Sequence, residues 1–193
     1  MGAIDLWIVG PVEDDVVEFL EGFLRRAFDL ETRRMAPLPN ADFAYDPRRA
    51  QHDSSRILQE AFARASVDAT RVLAVTGVDL FIPMLSFVFG QAQLDGRVTL
   101  LSLARLRQEF YGLPANRPLL LSRAAKEALH ELGHSFGLAH CAIPACAMSL
   151  STNILQVDAK NSEYCAGCRA LLVETLKTVH VRAALPQHEE DRP

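Results

Sequence analysis

The sequence predicts an α/β fold, a twisted mixed β-sheet with helices packed on one face. Three features carry that expectation. Strand-length apolar runs alternate with helix-period patterns early in the chain, strand-like runs cluster in its middle, and one clear long helix precedes an irregular cysteine-bearing stretch. The 193 residues suit one domain over 1–193. Within it we expect a sheet-and-helix part over about 1–140 and a smaller C-terminal part over about 141–185.

Taken in order, Ile4 to Val9 form a short apolar run that reads as a buried strand. Pro11 and the acidic residues 13 to 15 mark a helix start. Val12, Val16, Val17, Leu20, Phe23 or Leu24, and Ala27 then recur at helical spacing to about residue 28. Arg25 and Arg26 suit the negative end of that helix. In residues 31 to 53, Pro37, Pro39 and Pro47 leave room for one short strand and a long loop. Ser54 or Ser55 is placed to cap a second helix through Ser66, with Ile57, Leu58, Ala61, Phe62 and Ala65 inward. Arg71 to Thr76 and Val98 to Leu103 read as strands. Residues 80 to 89 read as an edge strand interrupted by Pro83. Residues 105 to 117 read as a loop and Pro118 to Leu138 as the clearest helix. A last helix is expected from about Cys165 to Val181, with Leu171, Leu172, Leu176 and Val179 on its apolar side. The charged tail from Pro186 is expected to fray.

Composition removes several function classes. Apolar residues make up 49% and charged residues 23%, which argues against disorder, collagen and coiled coil. The net charge is −4, and no basic run exceeds two residues, so nucleic acid is not an expected partner. The most apolar stretch, Val72 to Gly90, is broken by Gly77, Asp79 and Pro83, so no membrane span is expected. With no targeting signal read in the N-terminal residues, the expected location is cytoplasmic. A monomer is expected.

The chemistry concentrates in residues 130 to 141. His130 and His134 are four apart on a helix, which puts both imidazoles on one face within reach of one ion. Glu131 follows the first of them, where a carboxylate can meet a metal-bound water. Gly137 permits a left-handed helix exit. The turn can then return His140 as a third ligand. Three imidazoles leave a fourth position open, the pattern of a catalytic zinc. Glu131 would accept a proton from water and pass it to a leaving amine. A chance His-x-x-x-His on a plain helix is the bland alternative. All four cysteines, Cys141, Cys146, Cys165 and Cys168, fall in the last third of the chain, and with no secretory signal a metal site is favoured over a disulfide framework. A redox pair at Cys165–Cys168 and a pair of disulfides stay open as alternatives.

The string His130 to His140 resembles the extended zinc motif of the metzincin metalloproteases. Met148, the only methionine downstream, resembles the turn methionine that those proteins carry beneath the metal. With Cys141 directly after the third histidine, Cys146 two before Met148, and Cys165-Ala166-Gly167-Cys168 later, the chain resembles the archaemetzincins. Similarity continues upstream through Asp79 to Pro83, Phe87 to Gln93 and Ser102 to Leu106, and so covers most of residues 72 to 170. The 16 residues between Met148 and Cys165 are one fewer than the usual pattern, a change that a loop absorbs.

That resemblance implies a metzincin-like zincin domain with an active-site helix and a zinc-clipped C-terminal subregion. It implies two zinc ions, one catalytic on His130, His134 and His140, and one structural on Cys141, Cys146, Cys165 and Cys168. Glu131 would be the general base and acid, with Gly137 and Met148 as structural support. The implied activity is zinc-dependent hydrolysis of peptide bonds in a peptide or protein substrate, in a family discussed as aminopeptidase-like. A zinc-stabilised peptide binder without turnover is the alternative, against which Glu131 argues. No cysteine precedes residue 141, so latency by a cysteine switch is not expected. In metzincins a peptide lies antiparallel to an edge strand, a role open to Phe81 to Gly90, as is plain core packing. Metzincins often place a tyrosine after the turn methionine; here Ser149 follows, and the nearest downstream tyrosine, Tyr164, has no role assigned from sequence.

Overall fold

The structure, a computed structural model, describes residues 2–184. Its main sheet has five strands: β1 (Ala3–Val9), β2 (Glu31–Arg34), β5 (Ala69–Thr76), β7 (Gly90–Ala92) and β8 (Val98–Ser102). They lie in the order β2-β1-β5-β8-β7. The first four in that order are mutually parallel, and β7 closes one edge antiparallel to β8. A second, three-stranded sheet joins β3 (Tyr45–Asp46), β4 (Gln51–Asp53) and β6 (Leu80–Phe81). Residues 31 to 53 thus yield three short strands where one was expected, the prolines spacing them apart rather than abolishing them.

Helices cover both faces of the main sheet, not one. Helix α1 (Asp14–Phe28) and helix α3 (Arg117–Ser135) share a core with Ile4, Leu6, Leu73 and Val75. Helix α2 (Ser54–Arg64) shares another with Trp7, Val9, Val72 and Ala74. The reason lies in the strands. Parallel strands such as β5, apolar at successive positions, bury both faces and need cover on each.

Several boundaries differ from expectation. Asp53, not Ser54 or Ser55, caps α2, accepting from Ser55 N–H at 2.9 Å. Phe62, expected inward, is 58% exposed. The run expected as a strand over 80–89 stops at Phe81. Leu85 N–H closes a turn on the Ile82 carbonyl at 3.0 Å, Val88 pairs back on Leu80 as an isolated bridge, and the chain joins the main sheet at β7. The edge strand is therefore Gly90–Ala92. Within the expected loop, Ala104–Leu106 and Gln108–Tyr111 form 3-10 turns.

Helix α3 starts where Asn116 accepts from Leu119 N–H at 3.1 Å. It ends three residues earlier than expected. Gly137, at φ +87°, turns the chain so that Leu138 N–H reaches the Gly133 carbonyl and Gly137 N–H reaches that of His134, both at 2.9 Å. Beyond it, helix α4 (Ile154–Ala159), capped by Asn153, was not expected. Helix α5 (Ala166–Ala184) buries Leu172 and packs Leu176 against the core, but leaves Leu171 63% exposed, contrary to expectation. The side chain of Val179 and the tail from Pro186 lie outside the described residues. No helix among the described residues is long and apolar enough to cross a membrane.

Candidate metal centre

Helix α3 presents His130, Glu131 and His134 to a cleft of about 350 Å³ whose opposite wall includes β7. His140 comes to the same cleft from the chain beyond Gly137. One nitrogen from each of His130, His134 and His140 lies within 4.8 Å of the others. Their exposure grades outward: His130 is 6% exposed, His134 is intermediate and His140 lies open.

The rings are oriented by backbone carbonyls. His130 Nδ1–H donates to Ala147 O at 2.9 Å, and His134 Nδ1–H to Leu138 O at 2.7 Å. Each bond leaves Nε2 as a bare lone pair. The two Nε2 atoms stand 3.1 Å apart. Two acceptors that close repel unless a cation lies between them. Tetrahedral ligands about 2.0–2.1 Å from zinc would be about 3.4 Å apart. The donor set therefore fits zinc. Burial first, and the Lys160 ammonium second, hold His130 down to about 3, so its ring stays neutral and able to ligate. Burial lowers His134 and His140 as well.

Glu131 is buried, and burial pushes its carboxyl well above the usual carboxylate range; the nearby Glu127 adds to that and Lys160 opposes it. It packs against β7 at Gly90, where a Cβ would stand 2.6 Å from its Cγ. A carboxyl so held is suited to carry a proton.

Met148 is fully buried under α3, seated against Gly133, where any Cβ would overlap its sulfur. Its turn serves both metal groups. Ala147 O orients His130, while Met148 O accepts from Cys141 N–H at 2.9 Å, next to His140. Tyr164 does not reach the cleft. It is buried behind α3, and its hydroxyl donates to Leu129 O at 2.7 Å.

The four cysteines gather at one point, their sulfurs within 4.8 Å of one another, and all are free thiols. Cys141 and Cys165 Sγ are 3.8 Å apart. That matches the edge of a tetrahedron with zinc–sulfur bonds of about 2.3 Å, about 3.8 Å, and not a disulfide. Backbone N–H groups point at the sulfurs, from Cys165 to Cys146 and from Ile143 to Cys141. The backbone N–H of Cys168 is the main influence holding the Cys165 thiol down to about 7, while burial raises Cys146.

Sequence reasoning missed Gly90, Gly133 and the pair Glu127–Lys160, in which Lys160 Nζ donates to Glu127 Oε1 at 2.9 Å. Glu127 precedes Glu131 by one turn, a spacing that could have placed it on the same helix face.

Comparison with known proteins places the chain among zinc peptidases by sequence and fold. The profile of Peptidase family M54 matches residues 1–174. An archaemetzincin of Methanocaldococcus jannaschii is 43% identical over 163 residues, 83% of this chain and 87% of the relative. One from Pyrococcus furiosus is 41% identical over 181 residues, 90% of this chain and 94% of the relative. The crystal structure of archaemetzincin from Methanopyrus kandleri superposes with a TM-score of 0.77 at 34% identity, covering 91% of this chain and 96% of that one. That of a zinc-dependent peptidase from Methanocorpusculum labreanum gives 0.78 at 29% identity, covering 88% and 99%.

Proposed function

The chain belongs to Peptidase family M54, the archaemetzincins, and is a zinc metallopeptidase; on that premise we propose that it cleaves peptide bonds at His130, His134 and His140 with Glu131 as general base and acid. A second zinc would be held by Cys141, Cys146, Cys165 and Cys168. The observation that best supports the catalytic assignment is the pair of bare Nε2 lone pairs 3.1 Å apart beside a buried carboxyl.

Zinc, when bound, would lower the pKa of a water on it and polarise a peptide carbonyl. The remaining work falls to the chain. Ala147 and Leu138 carbonyls hold the two helix imidazoles in one tautomer. Glu131 takes a proton from water and returns it to the leaving amine. Strand β7 offers its free edge on the cleft, so a substrate backbone would add there as a further strand. Tyr164, tied to Leu129 O, takes no part in the reaction.

Removal of an N-terminal residue is the finer reading, taken from the resemblance; peptides with free and acetylated N-termini distinguish it from internal cleavage. The primary test is Glu131→Ala. Zinc content should stay at about two per chain by elemental analysis, while turnover falls by about 10²–10⁴-fold. Unchanged handling of peptides by this variant would instead favour a binding protein.

A further inference from the structure

We propose that the cleft beside Glu131 contains a side-chain subsite, built by Glu127 and Ser151, that takes a primary amide, the side chain of Gln or Asn, next to the bond being cut. The proposal rests on the zinc assignment above.

Three observations carry it. Glu127 lines the cleft one turn before Glu131 and is only 2% exposed. Its Oε1 takes Lys160, and it forms no other side-chain hydrogen bond among the described residues. Ser151 lines the same cleft, and its hydroxyl is buried without a partner among the described residues. Lys160, 3% exposed and not itself part of the cleft wall, balances the Glu127 charge from behind.

These groups define the ligand by elimination. The ion pair is already neutral, so a Lys or Arg side chain would bring a second cation towards Lys160, and an acidic one would meet Glu127. An aliphatic side chain would leave the Ser151 hydroxyl and a Glu127 oxygen dry and unpaired. A primary amide satisfies both: its N–H₂ donates to Glu127 and its carbonyl accepts from Ser151. Sites that hydrogen-bond a substrate group discriminate against analogues lacking it far better than apolar pockets do.

The test uses binding, not turnover. The zinc-loaded protein is titrated with two series of peptide hydroxamates, which place the side chain on one or the other side of the metal. Each carries Gln, Leu, Lys or Glu, with acetohydroxamate as the side-chain-free control. In one series the Gln compound should bind at least about tenfold more tightly than the others. Ser151→Ala should erase most of that preference while leaving the Leu compound unchanged. Glu127→Gln should do the same, and Ser151→Ala keeps the test valid if stranding Lys160 unfolds that variant. Equal binding of all side chains, or a preference for Lys or Leu, overturns the subsite. A preference for Gln untouched by Ser151→Ala overturns it too. Failure of acetohydroxamate itself overturns the zinc assignment beneath it.

Discussion

Glu131 rests directly against the backbone of Gly90: a Cβ built at that glycine would stand 2.6 Å from Glu131 Cγ and 2.7 Å from Cδ. Edge strand β7 and helix α3 meet there with no room for a side chain. The same Cβ would lie 2.5 Å from Leu100 O, so backbone blocks the alternative escape. Gly90→Ala should therefore displace the carboxylate while leaving the histidines alone. The expected result is full zinc content with kcat reduced on the order of 10²-fold, as for other small misplacements of reacting groups. An unchanged kcat would show that Glu131 tolerates the shift and is not held by this contact.

Gly133 and Met148 form a second such seat. Alanine at Gly133 would overlap Met148 Sδ and press on Tyr164, 3.3 Å away. Overpacking of this kind costs about 1–3 kcal/mol. Met148→Ala opens a cavity and should cost about 2–5 kcal/mol. The double variant should lose less than the sum, because the alanine methyl fills part of the space vacated. Denaturant melts of the metal-loaded proteins read all three; strict additivity would mean that the two residues do not share this seat.

The cysteine cluster is joined to the histidine group through one short segment. Cys141 follows His140 and donates its N–H to Met148 O. Cys168→Ser should empty the cysteine site, lower the melting temperature, and reduce zinc occupancy and turnover at the histidine site together. A metal bound there would contribute folding free energy to a stretch with little regular structure. Catalytic occupancy and turnover left intact by Cys168→Ser would separate the two sites.

How much of this was legible in the sequence follows from where each signal is written. The histidines occupy one contiguous motif, so spacing named His130, His134 and His140 as a group, and the structure brings them together; the four cysteines, which it also gathers, were grouped as one site by the family resemblance rather than by spacing. Gly137 was legible because its backbone must turn left-handed, and φ +87° is what a glycine is needed for. Gly90 and Gly133 were not, because what they permit is an approach by residues far away in the chain. Lys160 was invisible for the same reason: its partner Glu127 lies 33 residues earlier. The helices on both faces were misjudged although the cue was present, in runs of consecutive apolar residues such as Val72 to Val75 and Leu6 to Val9 rather than apolar residues at alternate positions. Short strands such as Tyr45–Asp46 and Leu80–Phe81 exist only through their pairing and carry too few residues to show a period.

Acid should destabilise the metal-free protein through His130. Burial holds this histidine down to about 3, against an ordinary 6.5. Below 6.5 the unfolded chain takes up a proton that the folded one refuses. Stability from this group is therefore complete above about 6.5 and lost as the pH falls towards about 3, at about 1.4 kcal/mol per pH unit. Glu131, whose carboxyl is raised by burial, acts in the opposite sense: the folded state holds its proton more readily, so falling pH favours folding. The two oppose each other in a raw melting curve, and a subtraction separates them. The stability of the chelator-treated wild type minus that of His130→Asn should shrink by about 2 kcal/mol between pH 6.5 and 5. In a chain of this size that is roughly 4–8 °C of melting temperature. In the zinc-loaded protein the same protons compete with the metal, so occupancy should fall over the same range. A difference that stays flat with pH would mean that His130 takes up its proton in the folded state as readily as in the unfolded one, against the buried, neutral imidazole that the metal site requires.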